Sequence, residues 1–121
     1  MNTTPYETDE QQALFNWAKI SGIPDIDLLH AIPNGGHRNK ATAGRLKAEG
    51  VKRGVPDIFL PVPKNGYHGL YIELKRQKGG KLSVEQKEWC NRLFQNGYKV
   101  FVAEGWIEAR EAILEYLRDD V

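Results

Sequence analysis

Three polar residues stand where short apolar strands would carry them. Asp57 follows Pro56 at the head of Ile58-Phe59-Leu60, and Glu73 and Lys75 lie within Leu70-Tyr71-Ile72-Glu73-Leu74-Lys75. Side chains at i and i+2 of a strand share a face. Glu73 and Lys75 therefore project together, while Leu70, Ile72 and Leu74 enter the opposite layer. Two carboxylates that meet across adjacent strands make a site for a hard cation. An ammonium beside them holds or polarises a phosphate or a water. The combination points to metal-assisted phosphodiester hydrolysis.

Each of these residues has a plainer reading alone. Pro-Asp is a common turn pair, and a strand with one face in water carries polar residues without any function. Glu73 between Ile72 and Leu74 is harder to dismiss, because strand propensity disfavours it. The joint spacing of the three is what argues for chemistry.

Charge along the chain agrees. From Arg38 to Lys81 there are eleven Lys/Arg against three acids, a balance of +8; the remainder has six against thirteen, or −7. Two of the three central acids are Asp57 and Glu73. A basic centre in a chain of net charge +1 implies a polyanionic partner. Lys52, Arg53, Lys78 and Lys81 are its natural contacts. In Asn34-Gly35-Gly36-His37-Arg38, the glycines would let main-chain amides approach a nucleic-acid backbone, with Asn34 and Arg38 beside them. An ordinary tight turn is the alternative.

The 121 residues fit one domain, 1–121, with a modest core. The N-terminus lacks the basic and apolar regions of a signal peptide, and no apolar run is long enough to span a bilayer. The lone Cys90 cannot form an internal disulfide, so a reducing cytoplasm is expected. The three histidines make no zinc pattern with it. His37 is not needed as a base.

The elements that must position the site follow from periodicity. Thr8 and Gln11 resemble a capping box, opening a helix whose stripe is Leu14, Phe15, Trp17 and Ala18, up to Gly22. Ile26 to Ile32 reads as a strand and Lys40 to Glu49 as a helix ending at Gly50. Asp57 to Val62 and Gly69 to Arg76 read as strands joined by a Pro-Lys-Asn-Gly hairpin loop. Ser83 to Asn96 reads as a helix, Tyr98 to Ala103 as a strand, and Ile107 to Leu117 as a closing helix. The order α-β-α-β-β-α-β-α predicts an α/β fold with a mixed central sheet flanked by helices. Trp17 and Trp89 fit core packing; Trp106 is open to an interface as well.

Gln86 carries two readings. It closes a capping box with Ser83, and it heads the stripe Trp89, Cys90, Leu93, which must face the sheet near Glu73. The two roles are compatible.

Pro56-Asp57 followed by Glu73-Leu74-Lys75 resembles the PD-(D/E)XK nuclease signature. With Ile32-Pro33-Asn34-Gly35-Gly36, Gly50-Val51-Lys52-Arg53-Gly54-Val55-Pro56-Asp57 and Leu82-Ser83-Val84-Glu85-Gln86, nearly the whole chain resembles the VRR-NUC branch of that superfamily. The resemblance is to stand-alone domains of the bacteriophage type. It implies a restriction-endonuclease-like fold and Mg²⁺ or Mn²⁺ held by Asp57, Glu73 and the carbonyl of Leu74. Lys75 would serve the scissile phosphate or the attacking water, and Gln86 would contact the active site. It also implies a metal-linked glutamate on the first helix; Glu10 heads the inward stripe there, and Glu7, one turn earlier, competes with it. Both acids also suit a helix N-terminus for electrostatic reasons alone. Finally it implies a homodimer acting on branched DNA, including four-way junctions.

Overall fold

The computed structural model describes residues 6–33, 40–78 and 80–119. Asn34 and Arg38 lie outside the described residues. Helix α1 is Glu7–Ile20, strand β1 His30–Ala31, helix α2 Lys40–Ala48, strand β2 Ile58–Leu60 and strand β3 Leu70–Lys75. Helix α3 is Val84–Gln95, strand β4 Lys99–Glu104 and helix α4 Trp106–Leu117. The sheet order is β1-β2-β3-β4, antiparallel across the first two pairs and parallel between β3 and β4. This is the expected mixed sheet with flanking helices. The connection between the parallel pair is α3, the kind of crossover a parallel pair needs.

Strand alternation sorts the two faces. Ile58, Leu60, Leu70, Ile72, Leu74 and Ala103 are buried on one face, where α1 and α4 pack with Leu14, Ala18, Ala109 and Ile113. Asp57, Glu73 and Lys75 project from the other, which α3 covers. The β2–β3 hairpin turns through Asn65 and Gly66, with φ of 51° and 87°. Positive φ at both central residues is the twist-compatible hairpin geometry that Asn-Gly favours. The Asn65 amide also donates to the carbonyls of Tyr116 and Arg118, fastening the hairpin to the end of α4.

Two local expectations are corrected. Ile26 to Ile32 is not a strand: Asp25 has φ 64°, Ile26–Leu28 forms a 3-10 turn, and only His30 and Ala31 pair with β2. The buried residues there are Ile26 and Leu29, three apart, which suits a helical turn rather than period-2 alternation. At α1, Thr8 and Gln11 do not form a capping box. The helix begins ahead of them, with Tyr6 as an extended N-cap that makes no side-chain cap bond. Trp106 packs against the core, with Arg110 over its ring.

Candidate active site

Asp57 stands one residue before β2. Its Oδ2 accepts from the Leu74 N–H at 2.9 Å, which joins it to β3 directly. Lys99 N donates to Gly69 O, and Gly105 N to Lys75 O, so odd-numbered carbonyls of β3 face β4. The Leu74 carbonyl therefore faces the Asp57 side, and β2 begins at Ile58 opposite Ile72, leaving no β2 residue opposite Leu74. The chain thus brings Asp57, Glu73 and the Leu74 backbone to one place.

Gln86 organises the other side. Its Nε2 donates to Glu73 Oε1 at 2.8 Å, and its Oε1 accepts from Lys75 Nζ at 3.2 Å. The same Oε1 accepts from Ser83 N at 2.8 Å, and Gln86 N donates to Ser83 Oγ at 3.1 Å. One residue therefore closes the capping box of α3 and clamps the two charged groups of β3. Lys75 Nζ lies 3.7 Å from Glu73 Oε1. Glycines allow the surrounding loops to come this close. A Cβ on Gly54 (φ 92°) would lie 2.7 Å from the Glu85 carbonyl carbon, so the loop before Asp57 seats on the start of α3. A Cβ on Gly80 would lie 2.8 Å from Lys75 Cβ, so Gly80 lies against the lysine stem.

The electrostatics fit a site built for positive charge. Glu73 is 1% exposed and Lys75 8%. Burial pushes the Glu73 carboxyl up to about 8; the Asp57 charge adds to this and Lys75 opposes it. Burial likewise raises Asp57, with the Leu74 hydrogen bond opposing. Burial, then the Glu73 charge, raises the Cys90 thiol, placing that stripe of α3 over β3 as its periodicity predicts. Among the described residues no group of three His, Cys, Asp or Glu side chains is arranged to hold an ion. Two carboxylates and a backbone oxygen form the available donor set. Glu73 Oε2 is buried with no donor group to pair it; the Asp57 carboxyl lies within hydrogen-bond reach of Glu73, and the two can share a proton only while Glu73 is protonated. Leaving such an atom unpaired costs about 1–3 kcal/mol, and a hard divalent cation is the natural partner for it.

The first helix divides its acids. Glu10 is 2% exposed and points inward, as its stripe predicts, but both its oxygens accept structural bonds. Oε1 accepts from Trp106 N at 2.9 Å and Oε2 from Gln77 Nε2 at 3.0 Å. The α1 acid whose charge bears on Asp57 and Glu73 alike is Glu7. Lys52, Arg53, Lys78 and Lys81 are all exposed. Hydrogen bonds from its own backbone and then Ser83 hold Glu85 below the usual carboxylate range, and the Arg53 charge adds to that, placing Arg53 beside the start of α3. Gln77 had no signal in the sequence, its partner being 67 positions away, and Gly80 reads there only as part of a Gly-Gly break, with nothing to place it against Lys75.

The VRR-NUC domain model matches residues 4–106. A solved structure described as a VRR-NUC domain protein superposes with a TM-score of 0.83 at 30% sequence identity, over 96% of this chain and 91% of that one. No curated protein matches the chain.

Proposed function

Since the chain belongs to the VRR-NUC domain family, a nuclease family, we propose that it is a Mg²⁺- or Mn²⁺-dependent endodeoxyribonuclease selective for branched DNA such as four-way junctions. The observation that carries the metal reading is the buried Oε2 of Glu73, which no donor group pairs, beside the Asp57 carboxyl that would be its ionised neighbour. Asp57, Glu73 and the Leu74 carbonyl would hold the ion, with Glu7, whose charge bears on both carboxyls, as an outlying acid on the first helix. A bound divalent ion lowers the pKa of a water and neutralises charge growing on the phosphate.

The chain's own residues do the rest. Gln86 fixes the Glu73 carboxylate and the Lys75 ammonium relative to each other. Lys75 donates to a phosphate oxygen or to the attacking water as a compact point charge. Glu73 must give up the proton that burial favours before it can act as a ligand. The exposed Lys52, Arg53, Lys78 and Lys81 hold the DNA backbone. Asn34 and Arg38 are assigned to the same interface on sequence grounds.

The nuclease reading covers the VRR-NUC match over residues 4–106, and the resemblance to bacteriophage-type domains supports a bacterial host cytoplasm as the place of action. Among the described residues no helix is long and apolar enough to cross a membrane. One active site per chain makes two-strand cutting a task for two protomers, and a two-fold dimer matches the two-fold symmetry of a four-way junction. The test is nick mapping on strand-labelled junctions and linear duplex with Mg²⁺, Mn²⁺ or EDTA, alongside sedimentation of the free protein. Paired symmetric nicks near the exchange point, with little cutting of duplex, are expected. A monomer that cuts duplex as readily as junctions rules out the junction reading and leaves the nuclease reading standing.

A further inference from the structure

Helix α4 starts with a deficit. Its N-cap is Gly105, which has no side chain to accept from the first free N–H groups. Glu10 supplies that acceptor from another helix, receiving the Trp106 N–H on one oxygen and the Gln77 amide on the other. Gly105, with φ 89°, is required at the junction, because a Cβ there would lie 2.8 Å from Gln77 Cγ and 3.4 Å from Glu10 Oε1. A buried carboxylate therefore joins three places distant in sequence. They are the first turn of α1, the segment leaving β3 and the start of α4.

Two of those places flank the site. Glu10 lies three residues after Glu7, so the two acids share one side of the same helical turn. Gln77 lies two residues after Lys75, and the chain then folds back to set Gly80 against the Lys75 stem. We propose that Glu10 is a positioning residue: its clasp on Gln77 and Trp106 holds Glu7 and Lys75 in register with Asp57 and Glu73. This rests on the metal-dependent reading above. It differs from a pure stability role, because a helix cap alone has no reason to reach the segment after Lys75.

The test uses Gln77→Ala, Glu10→Gln and Glu10→Ala, with Mn²⁺ as the probe. Gln77 is exposed, so Gln77→Ala removes one arm of the clasp without opening the core. In metal-free protein, Gln77→Ala should speed amide hydrogen exchange in the first turn of α1 and at 76–78, while Ile72 and Ala103 keep their protection. By calorimetry, Gln77→Ala and Glu10→Ala should weaken Mn²⁺ binding about tenfold, the usual effect of losing an orienting partner. Glu10→Gln should stay near the wild-type value, because an amide oxygen still accepts from Trp106 and Gln77 can turn its own amide to match. If Glu10→Gln loses Mn²⁺ as fully as Asp57→Asn, Glu10 is a ligand and the clasp reading is wrong. If Gln77→Ala and Glu10→Ala proteins bind Mn²⁺ like wild type, the clasp positions nothing. Failure of wild-type protein to bind Mn²⁺ overturns the metal reading, and the clasp proposal with it, before any substitution is compared.

Discussion

Asp57 is the residue whose chemistry and architecture separate most cleanly. Asp57→Asn keeps an oxygen to accept from Leu74 N–H, so the β2–β3 junction should survive. It removes the negative charge that would hold a cation, at a cost of several kcal/mol of transition-state stabilisation. Cleavage should fall by at least about a hundredfold, with melting temperature and DNA affinity retained. Single-turnover assays beside thermal melts check this; near-normal cutting by the folded variant would refute the site. Glu73 makes a second expectation, for metal-free protein. Its folded pKa of about 8 lies above its ordinary 4.5, so the folded state binds the proton more tightly. That stabilisation is complete below the ordinary value and is lost as pH rises from about 4.5 through about 8. The melting temperature should fall over that window, and Glu73→Gln should flatten the fall. Mn²⁺, which needs the ionised form, should restore stability most at the upper end.

At the scale of elements, the site is a β-hairpin read by the start of a helix. Strands β2 and β3 present the acids, and the capping box of α3 delivers Gln86 between Glu73 and Lys75. The loop that returns from β3 to α3 closes on the Lys75 stem at Gly80, whose backbone lies outside the left-handed region. Gly80→Ala therefore has no conformational penalty of its own, yet its methyl group would push on Lys75. Cutting should slow by on the order of tenfold to a hundredfold, as expected for a misplaced catalytic group. The melting temperature should hardly change. Full activity in this variant would mean that Lys75 is not constrained by the loop.

Over the whole molecule, the sheet has one sealed face and one face that carries Asp57, Glu73 and Lys75. Helices α1 and α4 close the first with buried side chains. The second is covered by α3, in which no residue is fully buried, and the exposed Lys52, Arg53, Lys78 and Lys81 lie in the segments around the site. DNA binding should accordingly weaken steeply with salt. Neutralising Lys52 and Arg53 together, or Lys78 and Lys81 together, should flatten the slope of log K against log salt. On duplex the change is about 0.9 for each phosphate that the variant no longer neutralises. Fluorescence anisotropy over a salt series measures it. An unchanged slope in both double variants would place the DNA on another surface.

The sequence by itself determined the elements whose signals are local. Alternation in β3 assigned Ile72 and Leu74 to the core and Glu73 and Lys75 to the other face. The Asn65-Gly66 turn, the Ser83–Gln86 capping box and the stripe Gln86, Trp89, Cys90, Leu93 were equally legible. Each depends on spacings of two to four residues, which backbone geometry converts directly into faces. The run Ile26 to Ile32 misled, because apolar residues at short range suit a turn or a strand until burial chooses between them. Only tertiary structure showed what Glu7 and Glu10 each meet. Both sit in one helical turn, and periodicity says that Glu10 points inward but not what it meets there. Its partners, Gln77 and Trp106, are 67 and 96 positions away. A face is a property of the helix; a hydrogen bond across that distance is a property of the packed chain.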